Sequence, residues 1–295
     1  MKNNKKYGII DIGSNSVRGR AFADGKIIYN ELFTTRLGSG LANGCTLTEK
    51  SMLDTIEAIK KIIGGFNEVK VDEIYAFATE AVRSAKNGRD FVGRVKVAAN
   101  IEVDVVGGDE EGELALLGAV GTADGGVIDI GGASAEISVV KDKKIIYSHS
   151  LPLGAVKLYG KCGSDAKLLE EIVGERIDEY GLVPSGVKFY AVGGTATTLA
   201  ALDLRLDVYD PTKTDGHVIT EKSLEKDYEL IISNDVNGRI KTLRIDEKRA
   251  EIIHCGAYML LKIMQKFGIY EVTVKESDNL QGYLKKRVYG EGYER

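Results

Sequence analysis

Cysteine and histidine are scarce in this chain of 295 residues. The three cysteines are far apart and form no C-x-x-C pair: Cys45, Cys162 and Cys255. Neither a zinc site nor a disulfide framework is therefore expected, and a reducing cytoplasm fits this usage. The three histidines share no spacing typical of metal ligands: His149, His217 and His254. A catalytic histidine or a histidine metal cluster is disfavoured, and His254, inside a long apolar helix, is predicted to be a hydrogen-bonded core or interface residue.

An excess of basic residues and a long apolar run are also missing. The 44 acidic residues outnumber the 40 Lys and Arg, which gives a formal charge of −4 and argues against a general nucleic-acid binder. Lys2, Lys5 and Lys6 resemble the start of a signal peptide, but Asp11 interrupts the short strand that follows. We therefore expect a cytoplasmic protein with no signal peptide, no membrane span and no nucleic-acid partner.

Glycine, by contrast, is abundant, and much of it lies in a repeated pattern. The 35 glycines exceed the ~7% of an average protein. The stretch IIDIGSNS at 9–16 recurs as VIDIGGAS at 127–134, and the match extends to the turns Asp24-Gly25 and Asp142-Lys143. Each copy predicts a strand, a turn bearing Asp, and a hairpin, since Gly25 supplies the positive φ of a type I′ turn. An internal repeat of this length predicts two related lobes.

Predicted strands and helices alternate along the chain, which places it in the α/β class. Thr48 is predicted to cap a helix that ends at Gly64-Gly65. Long helices are also predicted at 165–180 and 247–267. Residues 1–121 are expected to form the first lobe and 122–280 the second, with the C-terminal helix at 281–295 packing back on the first.

Asp11 and Asp129 lie at the carboxyl ends of their strands, where open α/β sheets bind ligands. Small side chains in the turns that follow let backbone N–H groups approach an anion, and the carboxylates hold a metal or its waters. An isolated Asp-x-Gly commonly caps only its own turn. The duplication instead favours Mg²⁺, with Mn²⁺ as the alternative ion, held between two facing turns.

The same turns offer backbone and hydroxyl donors to phosphoryl oxygens. The candidate phosphate-binding residues of the two turns are Gly13, Ser14, Asn15, Ser16, Gly131, Gly132, Ala133 and Ser134. A third junction of strand and glycine, Gly193-Gly194-Thr195, precedes a helix and is predicted to bind phosphate as well. Plain turn chemistry is the alternative for each position.

Two arginines are candidates for phosphate contacts. Arg83 follows a strand end and can clamp a phosphate bidentately, although a surface arginine is usually only solvated. Arg18 is in the middle of a strand, where an inward charge is costly unless it is paired. An outward, edge-facing Arg18 is equally consistent with the sequence, so Arg18 is a second-tier candidate.

Acidic residues give the candidates for general base and further metal ligand. Glu110, Glu111 and Glu113 begin a helix, where they complement the macrodipole. Any one of them can instead face the cleft as a general base, and spacing alone does not choose among them. Glu136 alternates with Ser134 along a strand, which fits either a metal-side carboxylate or a solvated strand face.

At this point the chain resembles the exopolyphosphatase / guanosine pentaphosphate phosphohydrolase family over nearly its whole length. The motifs that carry the resemblance are DIGSNS at 11–16, ATEAVR at 78–83, GDEE at 108–111, DIGGASAE at 129–136, GGT at 193–195 and RAE at 249–251. The resemblance implies the actin-like fold, in which two ribonuclease-H-like lobes surround a central cleft. It also implies Mg²⁺-dependent release of the terminal phosphate of polyphosphate, or of the 5′ phosphate of guanosine pentaphosphate.

The resemblance assigns roles that the residues alone leave open. It implies Glu111 as the base that orients and deprotonates the attacking water, and Arg83 as the arginine that binds phosphate. Asp129 and Glu136 match the metal-side acids of the family, and a homodimer is usual in it. The loop donors of the family match Asn15, Gly131 and Ser134.

The chain also departs from the family pattern. Ala133 replaces a third glycine, and Ala135 stands where the family often has threonine. The segment DNLQG at 278–282 replaces GLREG, so an arginine is lost. Longer members carry a further helical extension after the two lobes; it is not found in this sequence, which leaves processivity on long polyphosphate an open question.

Two other functions compete with hydrolysis. One is a non-catalytic sensor that binds guanosine penta- or tetraphosphate and signals by closure of the lobes. The other is an actin-like ATP-dependent kinase, which needs an adenine pocket and a catalytic Asp that the second lobe does not evidently supply.

Overall fold

The computed structural model describes residues 5–41 and 45–294; Lys2 of the signal-peptide argument lies outside them. The strands within these residues are β1 (Lys6–Ile12), β2 (Ser16–Ala23), β3 (Lys26–Thr34), β4 (Glu73–Ala78), β5 (Asp104–Val105), β6 (Gly125–Ile130), β7 (Ala135–Lys141), β8 (Lys144–Leu151), β9 (Phe189–Val192), β10 (Val218–Thr220) and β11 (Glu271–Lys275). The α-helices within the same residues are α1 (Glu49–Glu68), α2 (Glu80–Ser84), α3 (Gly88–Ala99), α4 (Gly108–Ala119), α5 (Ala155–Cys162), α6 (Ala166–Arg176) and α7 (Gly193–Asp203). They continue with α8 (Pro211–Thr214), α9 (Glu221–Ile232), α10 (Val236–Lys241), α11 (Glu247–Ala250), α12 (Ile253–Phe267) and α13 (Asn279–Tyr289).

These strands form two sheets of the same design. One sheet has the order β3-β2-β1-β4-β5 and the other the order β10-β11-β9-β6-β7-β8. In both, an antiparallel meander of three strands continues into a parallel neighbour, β4 beside β1 and β9 beside β6. Each sheet has its own apolar core against its own helices. The predicted α/β class with two related lobes is confirmed; the boundary at residue 121 stays a prediction.

The repeat extends to details of backbone conformation. Both Asp-bearing turns are closed by a bond of 3.0 Å, from Gly13 N to Ser16 O and from Gly131 N to Ser134 O. Both meanders carry a register shift at the equivalent place, after Ala21 and after Val139. The hairpin predicted at Asp24-Gly25 forms, with positive φ at both residues.

Helix α4 lies between the two sheets and is held there by the C-terminal helix α13. On one side Leu114 packs with the first sheet and Tyr283, and on the other Leu116 packs with the second sheet. The two helices approach closely because glycine lies at the crossing: a Cβ on Gly282 would lie 1.9 Å from Leu114 O. A hydrophobic helix buried on all sides is expected in such a position. This packing of α4 between the two sheets places its first turn at the line where the sheets meet.

Two predicted helix boundaries are wrong, for reasons of packing. Helix α1 starts after the predicted cap Thr48 but continues past Gly64-Gly65 to Glu68. A Cβ on Gly65 would lie 2.3 Å from the Tyr29 ring, so this glycine allows close packing and does not end the helix. The helix predicted at 247–267 is interrupted by a turn at 251–252 between α11 and α12. Across the described residues, every helix is too short or too polar to cross a bilayer.

Candidate active site

A polar cleft lies where the two sheets meet. Residues 13–16, 131–134 and 193–195 all line it, together with Asp11, Arg18, Glu111 and Asp129. Its space is about 720 Å³, part of it open to solvent. The two Asp-bearing turns are neighbours, since a Cβ on Gly132 would lie 2.8 Å from Ser14 Cβ. The twin turns therefore face each other across one gap.

Strand register gives each aspartate a different neighbour. Asp11 is directly opposite Arg18 on β2, whereas Asp129 is directly opposite Glu136 on β7. Directly opposed residues of an antiparallel pair lie on the same face of the sheet. The first repeat thus presents an ion pair at the position where the second presents two carboxylates. The second repeat therefore contributes an acidic wall, Asp129 and Glu136, whereas the arginine of the first repeat is paired with its aspartate.

Arg18 points inward, which decides between the two orientations that the sequence allowed. Its guanidinium forms ion pairs with Asp11 and with Asp278, the N-cap of α13. Arg20 also reaches Asp278, at 3.4 Å. The charge of Arg18 on this strand is therefore compensated by carboxylates on two sides.

The three glutamates of α4 occupy distinct environments. Glu110 and Glu113 each bind Lys286 Nζ at 3.0 Å on α13, away from the cleft. Glu111 lines the cleft and is buried, with its carboxylate 3.5 Å from Arg83 Nη1. Of the three, Glu111 has the position that a general base for cleft chemistry requires.

Arg83 and Glu136 lie behind the cleft lining. The Arg83 guanidinium donates to Val106 O and Glu80 as well as to Glu111. Glu136 accepts a hydrogen bond from Ser150 Oγ at 2.6 Å, while its other oxygen is buried without a partner. In this structure Arg83 orients Glu111, and contact of Arg83 with a phosphate stays a prediction.

Burial and mutual repulsion raise the pKa values of the two carboxyl groups of the acidic wall, Asp129 and Glu136, and of Glu111, which faces it. Burial raises the pKa of Asp129 to about 7, with the charges of Asp278 and Asp11 adding to the shift and Arg18 opposing it. Burial and the nearby Glu136 and Asp129 raise the pKa of Glu111 well above its ordinary value. Burial and Asp129 likewise raise the pKa of Glu136. A carboxyl with a raised pKa is suited to proton transfer near neutral pH.

Several acceptor oxygens in the cleft region fit a hard cation. The side-chain oxygens that are buried without a hydrogen-bond partner here are Asp11 Oδ1, Asn15 Oδ1, Glu136 Oε2 and Asn279 Oδ1. Such oxygens are the ligands that Mg²⁺ prefers, and Mg²⁺ usually keeps several waters. Asp11, Asp129 and Glu136 do not form a close trio within the described residues, so direct ligation by all three at once is not preformed.

Arg249 and Asn279 are among the cleft-lining residues that were not predicted as site residues. Arg249 is part of the RAE motif at 249–251, and its guanidinium has no hydrogen-bond or ion-pair partner among the described residues. Asn279 donates to Asp129 Oδ2 at 3.2 Å. An unpaired arginine in a cleft is a natural anion-binding group. Both residues come from segments remote in sequence from the twin turns, so local patterns carry little signal for them.

At the third predicted junction, Gly193-Gly194-Thr195, the two glycines are required by close contacts with cleft residues. Gly193 has φ +79°, and a Cβ there would lie 2.6 Å from Asp129 Oδ1. A Cβ on Gly194 would lie 1.7 Å from Arg249 Nη1. Thr195 donates to Ile130 O at 2.9 Å, which ties α7 to β6. The two glycines therefore make room for an acid and a cation of the cleft.

Ala133, the departure from glycine, fits its turn. The residue is buried and its φ is not positive, so a Cβ is tolerated there. The turn is braced from behind by α5, whose first amides donate to Gly131 O and Gly132 O at 2.9 and 2.8 Å.

Two lobes of one topology with facing Asp-bearing turns define an actin-like α/β protein. The profile of the Ppx/GppA phosphatase family matches residues 18–282. The chain therefore belongs to the Ppx/GppA phosphatase family.

Individual relatives agree with this membership. The crystal structure of the Aquifex aeolicus Ppx/GppA family member is 30% identical, with a TM-score of 0.80, and covers 98% of this chain and 99% of that one. An exopolyphosphatase from Cytophaga hutchinsonii is 22% identical, with a TM-score of 0.85, over 97% and 98% of the two chains, and supports the fold alone. A bifunctional 3-dehydroquinate synthase/phosphatase of Fusobacterium nucleatum subsp. nucleatum is 28% identical over 311 residues, 96% of this chain and 46% of that protein. The chain thus spans about half the length of that curated relative.

Proposed function

We propose that this chain is a Mg²⁺-dependent hydrolase that releases the terminal phosphate of inorganic polyphosphate or the 5′ phosphate of guanosine pentaphosphate. The observation that carries the proposal is the position of Glu111: it is buried at the cleft, beside Arg83 and facing the wall that contains Asp129. Family membership supports the same class of reaction.

The twin turns bind and orient the phosphate chain in this proposal. Backbone N–H groups of residues 14–15 and 132–134, which small side chains leave approachable, donate to the phosphoryl oxygens, while those of Gly13 and Gly131 close the turns. Arg249, whose guanidinium has no partner among the described residues, offers it to the same anion. Mg²⁺, when bound, would neutralise charge on the transferring phosphoryl group, with Asp129, Glu136 and Asp11 as the acids that hold it or its waters.

Glu111 positions the attacking water and takes its proton. The carboxylate must be ionised to act as a base, and Arg83 opposes the effects that raise its pKa. Binding of a cation beside Asp129 would oppose them further. The water then attacks the terminal phosphorus in line with the leaving phosphate.

Phosphate release from polyphosphates of defined length and from guanosine pentaphosphate, with and without Mg²⁺, tests the proposal. Glu111→Gln should lower turnover by about 10²- to 10⁴-fold, the usual contribution of a general base. Glu110→Gln is the matched control, because Glu110 is on the same helical turn but binds Lys286 outside the cleft. Near-normal release by Glu111→Gln, or an equal loss in both variants, would refute the assignment.

The sensor hypothesis predicts a different result from the same experiment. It expects tight binding of guanosine tetra- or pentaphosphate, closure of the lobes in solution scattering, and no phosphate release with Mg²⁺. The kinase hypothesis requires ATP binding, which calorimetry measures directly.

A further inference from the structure

A second cluster of reactive side chains lies in the core of the second lobe, outside the cleft. Cys162 ends α5, and Cys255 lies in the first turn of α12, 93 residues later. Their Sγ atoms are 3.8 Å apart, and His254 Nε2 is 3.4 Å from Cys255 Sγ. All three residues are buried. The sequence spacing that argued against a Cys/His cluster was therefore misleading, because the fold assembles one.

Three such ligand atoms are close enough to hold a metal, but the hydrogen bonds of His254 oppose that use. Arg239 Nη1 lies 3.2 Å from His254 Nδ1, and a guanidinium can only donate, so Nδ1 accepts. The ring hydrogen is then on Nε2, which points at Gly163 O at 2.9 Å. Ligation through Nε2 would require the hydrogen on Nδ1, facing the arginine. Metal-binding histidines instead donate their second N–H to an acceptor.

The same contacts make the two thiols unequal. Cys162 is 6% exposed and precedes Gly163, where a Cβ would meet nothing within 4 Å, so it lies just beneath a surface turn. Cys255 is 0% exposed. The hydrogen bond from Cys255 lowers the pKa of Cys162 against the effect of burial, whereas the same bond and burial both raise the pKa of Cys255. Cys162 thus has the properties of an attacking thiolate, and Cys255 those of a resolving thiol.

We propose that Cys162 and Cys255 form a redox modification site that a hydroperoxide converts to an intramolecular disulfide. The Cys162 thiolate attacks the outer peroxide oxygen; an S–O bond forms, the O–O bond breaks, and the leaving alkoxide or hydroxide takes a proton. The Cys255 thiol then attacks the sulfenic sulfur, the S–S bond forms, and hydroxide leaves with the thiol proton as water. The two sulfurs lose two electrons in total, and the hydroperoxide gains them.

Closure needs a modest movement. The sulfurs must approach from 3.8 Å to about 2.05 Å. The bond would join the end of α5 to the start of α12. The first amides of α5 hold the 131–134 turn. The site and its test are independent of the proposed hydrolase activity.

Mass spectrometry of the full chain tests this proposal. A Cys45→Ser background removes the exposed cysteine and thus intermolecular pairing. After hydrogen peroxide, the denatured, non-reduced protein should have lost two hydrogen atoms, and dithiothreitol should restore them. Digestion should yield one cross-linked pair of peptides containing residues 162 and 255.

Two further variants distinguish attacking from resolving thiol. With Cys255→Ser, dimedone should trap a sulfenic acid at Cys162; with Cys162→Ser, Cys255 should stay unlabelled. Labelling of Cys255 instead, gain of oxygen without a cross-link in the unsubstituted pair, or unchanged thiols in the folded protein would each overturn the proposal. Retention of one Zn²⁺ per reduced chain in native mass spectra would overturn it in favour of a metal site.

Discussion

The contact between Gly194 and Arg249 makes a sharp test of how the cleft holds its substrate. Replacing Gly194 with alanine adds a Cβ that would lie 1.7 Å from Arg249 Nη1 and 2.3 Å from its Cζ. The obstructing atoms are the end of a flexible side chain, so we expect the guanidinium to move and the fold to remain.

The size of the movement sets the expected effect. Real Cβ atoms essentially never lie closer than 3.0 Å to another heavy atom outside their own segment. The added Cβ would lie 1.7 Å from Arg249 Nη1, so the guanidinium must move away by about 1.3 Å. A misplacement of about 1 Å at a reacting centre can cost about 10²-fold in rate. If Arg249 binds the phosphate chain, Gly194→Ala should lower kcat/KM for phosphate release by about 10- to 100-fold. Thermal stability should be nearly unchanged, because the helix preference of alanine over glycine, about 1 kcal/mol, offsets the cost of displacing the guanidinium.

A double-mutant cycle shows whether the loss acts through Arg249. Arg249→Ala should lower kcat/KM by a similar factor, and the double variant should lose little more than Arg249→Ala alone. Gly174→Ala is the matched control: it makes the same change within helix α6, and its added Cβ would meet nothing within 4 Å. Full activity of Gly194→Ala, or losses that multiply in the double variant, would refute the reasoning.

Two further predictions concern the acidic wall and the helix that positions Glu111. Because the pKa of Asp129 is raised to about 7, its protonation stabilises the metal-free protein at low pH, and this contribution is lost as pH rises from about 4 towards 7. Mg²⁺ binds the ionised carboxylate of Asp129, so it should raise the melting temperature more at pH 8 than at pH 5. Asp129→Asn should remove this difference between the two pH values. Equal shifts of the melting temperature at both pH values would contradict the metal assignment. Gly282→Ala would bring a Cβ to 1.9 Å from Leu114 O and should destabilise the protein by about 1–3 kcal/mol in urea unfolding. Stability equal to that of Gly174→Ala would show that α13 is not closely packed on α4.

Local sequence patterns correctly predicted the turns and the helix cap whose structure depends only on residues close together in the sequence. The turn at Asp24-Gly25 forms as expected because its conformation depends on its own φ values. Thr48 accepts a hydrogen bond from Ser51 N as a helix cap, for the same reason. The twin Asp-bearing turns form identical closing bonds because the two segments repeat almost the same residues.

Local patterns failed where a distant side chain makes the decision. Gly64-Gly65 has the composition of a helix end, but Tyr29 packs against Gly65 and the helix continues. Arg18 had two equivalent orientations until Asp278, 260 residues away, supplied a partner. The contacts of Lys286 distinguish the glutamates of α4: this lysine forms ion pairs with Glu110 and Glu113, whereas Glu111 lines the cleft.

The sequence by itself determined the duplicated α/β design and the residue types that each Asp-bearing turn presents, since both follow from repeated short-range patterns. Only the tertiary structure decided which glutamate enters the cleft, which cleft arginine has no partner in the described part of the chain, and that two cysteines 93 residues apart are neighbours. These outcomes depend on contacts between segments far apart in the chain. No local pattern encodes such contacts, because each is fixed by the packing of whole helices and sheets.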